Sequence, residues 1–150
     1  MRCGPDDFEN VNRIMRNDSV YPFAVSSSGE TSKTEYPVSK DFLGDSRAVI
    51  LSPTPDMVFI FIPYSETLYQ GHSAVLPCAR GKQAIKHGKE ACRWLFQNTT
   101  CQKIMGLTPV YLRNAILFSL MVGFKKEGLQ KKSHLFKGEL FDMVLFGMNK

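Results

Sequence analysis

Apolar residues recur along this chain at two different spacings, and the switches between them predict a mixed order of helices and strands. Phe8, Val11, Ile14 and Met15 fall three or four residues apart behind Asp6 and Asp7, which predicts a short packing helix ending near Asn17-Asp18-Ser19. Val20-Tyr21-Pro22-Phe23-Ala24-Val25 then leads into Ser26-Ser27-Ser28-Gly29-Glu30-Thr31-Ser32-Lys33-Thr34, too small and polar to support a core and therefore a loop. Ala48-Val49-Ile50-Leu51-Ser52 reads as a strand, Pro53-Thr54-Pro55-Asp56 as a turn, and Met57-Val58-Phe59-Ile60-Phe61-Ile62 as a strand apolar on both faces, hence central in a sheet. A third strand, Thr67 to Leu76, follows the turn Pro63-Tyr64-Ser65-Glu66 and completes an antiparallel meander.

The pattern then becomes helical. Ala84, Ile85, Gly88, Ala91, Cys92, Leu95 and Phe96 share one face, while Lys82, Lys86, Lys89, Arg93 and Gln97 point elsewhere. Cys101 to Leu107 reads as a strand returning parallel to the third, which makes a right-handed β-α-β unit. Thr108-Pro109 has the form of a helix start, a hydroxyl cap and then proline at the first position. The helix it predicts, through Ala115-Ile116-Leu117-Phe118-Ser119-Leu120-Met121-Val122, is apolar nearly all round and is expected to be well buried until Gly123 stops it. Phe124 to Leu129 begins another strand, and Leu135 to Leu140 turns into the last, Phe141 to Phe146.

With 43% of its 150 residues hydrophobic and 22% charged, the chain suits one compact domain over residues 1–150. Its apolar runs are too short to span a bilayer and its N-terminus lacks the apolar run of a secretory signal, so a soluble cytosolic protein is expected. The four cysteines are irregularly spaced, with no pair at zinc or redox-motif spacing, so reduced thiols and no metal are expected. A net charge of +5 permits phosphorylated ligands or nucleic acid without requiring them. Lys125, Lys126, Lys131, Lys132 and Lys137 around the last hairpin alternate with Glu127 and Glu139 and read as a solvated face, with His134 beside them at the surface.

The long helix begins without a Ser, Thr, Asp or Asn to occupy its first N–H groups. Those donors, the positive end of the dipole, and Arg80 and Lys82 beside them suit an anion, although a hydrated helix start is the commoner outcome. Two longer features then coincide. Asn114-Ala115, eight residues of helix, Gly123-Phe124, Glu127-Gly128, Lys137-Gly138 and Asp142 before an apolar run resemble the closing third of the Gcn5-related N-acetyltransferase (GNAT) fold. Arg80-Gly81-Lys82, just after a strand ending at Pro77, is similar to the start of that family's pyrophosphate loop, so the resemblance covers roughly residues 48–147.

The resemblance implies an α/β (α+β) fold of the acyl-CoA N-acyltransferase kind: a mostly antiparallel central sheet flanked by helices, with a V-shaped splay between the fourth and fifth core strands. The pantetheine arm of acetyl-CoA would fill that wedge as if it were a strand. Val75, Leu76 and Cys78 would then offer backbone bonds to the arm, Arg80, Gly81, Lys82 and Gln83 would face the phosphates, and Asn114 would lie beside the cofactor. Glu66 and His72 are the candidates for a general base. An exposed or satisfied strand histidine and a solvated turn carboxylate are the commoner fates of such residues, and a small buried hydrophobe that of Cys78.

Four positions depart from the family pattern. Gln83 and Ile85 stand where the loop has residues with little or no side chain, and Ile85 is expected to crowd a phosphate unless the loop is reshaped. Ser119 stands where many active relatives carry the tyrosine that protonates the departing thiolate, and Leu112 where they carry asparagine. A softer likeness of wording, in Ile14-Met15-Arg16, Val20-Tyr21-Pro22, Trp94-Leu95-Phe96 and Gly106-Leu107-Thr108-Pro109, points to a branch carried by tailed bacteriophages. It implies a protein made in the host bacterial cytoplasm and acting in assembly or in the particle, with other virion or assembly proteins, or DNA, as partners. Of the readings weighed, we favour a phage head-assembly or internal virion protein on this fold with catalysis lost. An acetyl-CoA-dependent N-acetyltransferase is the alternative, and a simple nucleic-acid binder, supported only by net charge, comes last.

Overall fold

A computed structural model describes residues 2–20 and 38–150, and the loop expected at 26–34 lies outside them. Six strands form one sheet in the order β1-β2-β3-β4-β6-β5: β1 Val49–Thr54, β2 Met57–Pro63, β3 Leu68–Val75, β4 Lys103–Pro109, β5 Lys125–Phe136 and β6 Glu139–Asn149. Every neighbouring pair is antiparallel except β3 with β4. Among the described residues four α-helices accompany them: α1 Phe8–Met15, α2 Lys40–Gly44, α3 Lys82–Asn98 and α4 Arg113–Val122. The order expected from periodicity is present, with α2 as an addition. An isolated antiparallel bridge from Arg2 to Leu51 lies ahead of β1, outside the six strands, and the parallel pair β3 and β4 are the third and fourth strands of the sheet.

Strand β2 is buried along its first five residues because both faces of the sheet are covered there. On one face Phe59, Phe61, Tyr69 and Ile104 pack under Ala91, Cys92, Leu95 and Phe96 of α3 and Val122 of α4. On the other, Ile50, Val58, Ile60, Ala74 and Leu76 pack under Val11, Ile14 and Met15 of α1 and Leu43 of α2. Each fully buried aliphatic or aromatic side chain contributes about 1.5–3 kcal/mol against its exposed reference, so both layers matter to stability. Asn12, fully buried on α1, holds the chain on that second face. Its amide donates to the carbonyls of Phe8 and Val38 at 3.0 and 2.9 Å, and its oxygen accepts the Val38 N–H at 2.9 Å.

Two expectations are corrected. Thr108 and Pro109 do not start a helix; they are the last residues of β4, opposite Val144 and Met143 of β6, and α4 begins four residues after the proline, at Arg113. Proline is tolerated because the missing N–H lies on the side of β4 that faces away from β6. Nor is α4 well buried: Leu117, Leu120 and Met121 are 55%, 47% and 49% exposed. Phe118 and Val122 meet α3, where a Cβ on Gly88 would stand 2.9 Å from Val122, and the opposite side of the helix meets no described element closely enough to bury it.

Candidate functional site

Strands β3 and β4 run together for three residues and then part. Leu68, Tyr69 and Gln70 pair with Lys103, Ile104 and Met105, after which β3 continues to Val75 and β4 to Pro109 without pairing. Hydrogen-bond parity shows what the gap exposes. The Leu76 N–H donates to the Asp56 carbonyl at 2.9 Å and the Tyr64 N–H to the Leu68 carbonyl at 2.8 Å, so even-numbered residues of β3 direct their backbone groups at β2. Odd-numbered residues face the other way; at the zipped end the Lys103 N–H donates to the Thr67 carbonyl at 3.0 Å.

On β4 the Lys150 N–H donates to the Gln102 carbonyl at 2.9 Å, so even positions there face β6 and odd positions face β3. Ser73 and Val75 on one side, and Leu107 on the other, therefore present backbone groups to a gap that neither strand fills, whereas Pro109 has no N–H and its carbonyl accepts the Leu112 N–H at 3.0 Å. Polar backbone left this way is stable only if water or an extended ligand takes its bonds.

The turn that follows β3 leads into the start of α3. Leu76 ends the strand, Pro77–Ala79 make a single 3-10 turn, and Gly81 caps α3 with φ +96 and ψ −143. Only glycine adopts that backbone without strain, and a Cβ there would meet no atom within 4 Å, so conformation and not space dictates the residue. No side chain caps α3. The Ile85 N–H closes the first turn on the Gly81 carbonyl at 3.1 Å, leaving the N–H groups of Lys82, Gln83 and Ala84 without helical partners. Ile85 is half-buried in a shallow groove on the outer side of α3 with Lys82, Lys86 and Lys89.

The expected site residues divide into three groups. Arg80, Gly81, Lys82 and Gln83 are brought together, all exposed, at the α3 start. Arg80 turns back: its Nε donates to the Val75 carbonyl and its Nη2 to the Ser19 carbonyl, both at 3.2 Å, so one gap-facing acceptor is already engaged. Leu76 does not offer its backbone to the gap, because its N–H bonds Asp56 and its carbonyl accepts the Ala79 N–H at 2.9 Å. Cys78 is exposed and not the buried hydrophobe expected, since the 3-10 turn lifts it off the core.

The remaining candidates lie apart from one another. His72, beside Ser73 on β3, is exposed by area, and desolvation of its ring by the surrounding protein pushes its pKa down. By strand alternation it shares the sheet face of Ala74 and Leu76, toward α1. Glu66 precedes β3 at the zipped end, roughly 20 Å from Ser73 at 3.3 Å per residue. Its carbonyl accepts the Thr100 hydroxyl. Asn114 is exposed on the first turn of α4, and the Ser119 hydroxyl is committed to the Ala115 carbonyl at 3.1 Å.

A pair of a half-buried tyrosine and a buried histidine was not legible in the sequence. Tyr111, two residues past β4, has its hydroxyl 3.1 Å from Nε2 of His134 on β5, and Phe136 and Phe141 pack on its ring with centroids at 5.2 and 4.6 Å. His134 is only 6% exposed, which corrects the surface position expected for it. Burial lowers the His134 pKa and raises that of Tyr111, so both stay neutral near pH 7. The lysine-rich composition of β5 concealed the pair. It forms because the strand bulges between Gln130 and His134, where the Lys132 N–H donates to Asp142 Oδ1 at 2.8 Å. Among the described residues no group of three or more His, Cys, Asp or Glu converges as a metal site.

No family model matches the chain, and no curated protein matches it in sequence. Solved structures do match in shape. Spermidine N-acetyltransferase from Vibrio cholerae, in complex with CoA and spermine, superposes over 99% of this chain and 93% of its own with a TM-score of 0.76 at 14% identity. A GNAT-family acetyltransferase from Bacillus anthracis gives 0.74 at 17% identity, over 99% and 92% of the two chains. Ribosomal-protein-S5-alanine acetyltransferase from Vibrio fischeri gives 0.70 at 12%, over 99% and 91%. The fold is that of the GNAT acyltransferases, as the sequence led us to expect. The head-assembly reading is overturned: the structures matched are acetyltransferases, and the phage likeness rested on wording with no architecture behind it.

Proposed function

We propose that the protein is an N-acetyltransferase that binds acetyl-CoA in the gap between β3 and β4 and transfers the acetyl group to an amine. The observation that carries this reading is the parting of the two strands directly beside an uncapped helix start. An amide-bearing arm satisfies the backbone of Ser73 and Leu107 as a third strand would, and a pyrophosphate satisfies the N–H groups of Lys82, Gln83 and Ala84. Acetyl-CoA, when bound, supplies the activated acyl group that an amine attacks, releasing the thiol.

The chain's own contribution is mainly positioning, which can supply a large part of the rate. His72 is our candidate base: desolvation keeps its ring neutral and able to accept the proton that the amine sheds, directly or through water. Ser119 is not available as the acid while it bonds Ala115, so the thiolate takes its proton from solvent. Arg80 must release the Val75 carbonyl if the arm is to use it.

Calorimetric titration of the full chain with acetyl-CoA tests the reading. Micromolar binding, lost in Gly81→Trp, is the expected result, because any side chain at φ +96 reshapes the loop. No heat at millimolar ligand would overturn it. With binding in hand, CoA release in the presence of candidate amines should fall at least tenfold in His72→Ala, mainly in kcat.

A further inference from the structure

The exposed side of α3 carries a row of cations that the reading above does not use. At 100° per residue, Lys82, Lys86, Lys89 and Arg93 fall within about 60° of one another around the helix and extend roughly 16 Å along it. All four are exposed, and they border one shallow groove with Ile85 and Glu90. Glu90 is the sole acid of α3, and it already bonds His87 Nδ1 at 2.9 Å. It also stands 4.0 Å from Lys86 Nζ as an i,i+4 ion pair, which offsets part of that one charge and leaves Lys82, Lys89 and Arg93 without an acid on the helix.

This row works against the helix that bears it. Like charges three or four residues apart repel, and cations near the N-terminal end oppose the macrodipole. A bound pyrophosphate at the helix start would relieve Lys82, but Lys89 and Arg93 stand about 10 and 16 Å further along, beyond its reach. Local rules broken with compensation at Lys86 alone point to a ligand.

We infer that this face of α3 binds the phosphodiester backbone of a nucleic acid without regard to base sequence. The row is straight and has a single half-buried aliphatic residue, Ile85, on its border. A peptide or protein partner needs a desolvated apolar anchor to bind, whereas phosphates are held by lysine and arginine alone. The chain's net charge of +5 assists the encounter.

Fluorescence anisotropy with labelled single-stranded DNA, duplex DNA and RNA of matched length, from low to physiological salt, tests this. Binding should weaken with salt with a log–log slope of about −3.6 on duplex if all four cations pair with phosphates. Lys86→Glu/Lys89→Glu should lower affinity at least tenfold and flatten the slope by about half. Lys125→Glu/Lys126→Glu on β5, with the same change in net charge, should alter affinity less than threefold. Circular dichroism checks that the variants fold, and Lys86→Gln/Lys89→Gln repeats the comparison with a smaller perturbation of the helix. No binding at low salt, equal losses from the two double reversals, or displacement by polyglutamate at matched charge concentration would each overturn the inference, the last in favour of an acidic polypeptide.

Discussion

The two ends of the β3–β4 pair are built from the same two strands, yet they do opposite things. At the zipped end Tyr69 and Ile104 lie side by side in the core, the backbone of Tyr69 facing Lys103 and Met105 of β4 and that of Ile104 facing β6, so both are satisfied within the protein. At the open end Ser73 and Leu107 have the same strand geometry on their outer sides, against β2 and β6, and no partner strand between them. The helices that follow the two strands pack against each other on one face, where Gly88 of α3 leaves room for Val122 and Phe118 of α4. A sheet can therefore hold stability and a vacant backbone slot within a few residues, provided that the first is concentrated at one end.

Substitutions that treat the two ends unequally test this. Gly71 stands at the fork, where a Cβ would come 3.2 Å from Ile104 and 3.4 Å from Phe61, so Gly71→Val should cost about 1–3 kcal/mol in urea unfolding by overpacking the closed end. His134, beneath the hairpin beyond β4, should give the next largest effect, and one that depends on pH. Its pKa is lower folded than unfolded, so its contribution is fully present above about pH 6.5 and declines as the pH falls through the mildly acidic range. The stability advantage of the parent over His134→Gln, followed by thermal unfolding, should shrink between neutral and acidic pH. Ser73→Val, two residues past the fork, should change stability by less than about 0.5 kcal/mol, as an exposed substitution away from the core does.

The thiols offer a further contrast. Cys92 lies on the buried face of α3, where burial, and after it the neighbouring Cys101, push its pKa up to about 12, while Cys78 is exposed beside the open end. Alkylation at pH 8 should label Cys78 alone, and acetyl-CoA should slow that labelling. Labelling of Cys92 at a similar rate would mean that the core opens more readily than its packing implies.

Much of this layout is legible in the sequence wherever local pattern and tertiary burial agree. Apart from Ile85, half-buried on the outer side of α3, the stripe from Ala84 to Phe96 is buried as its spacing requires, and β2 is central because it is apolar on both faces. Where the two disagree, the sequence misleads. Thr108-Pro109 has the chemistry of a helix start, but a strand that borders a gap tolerates a proline just as well, and nothing local separates the two cases. The apolar circumference of α4 does not tell which side a neighbour covers, and the basic run around His134 hides a bulge that turns one residue inward. The gap itself is invisible to periodicity. Val75, Leu76 and Cys78 were chosen by resemblance, whereas hydrogen-bond parity picks out Ser73 and Leu107, a selection that requires knowing which side of each strand is already paired.

Amide hydrogen exchange, read residue by residue with and without acetyl-CoA, tests the central claim most directly. The account predicts that the Tyr69 and Met105 amides of the free protein are protected by orders of magnitude, that those of Ser73 and Leu107 exchange almost as fast as unstructured peptide, and that acetyl-CoA slows the latter pair specifically. If Ser73 and Leu107 are as protected as Tyr69 before any ligand is added, the strands are zipped along their whole length and there is no slot for an acyl carrier.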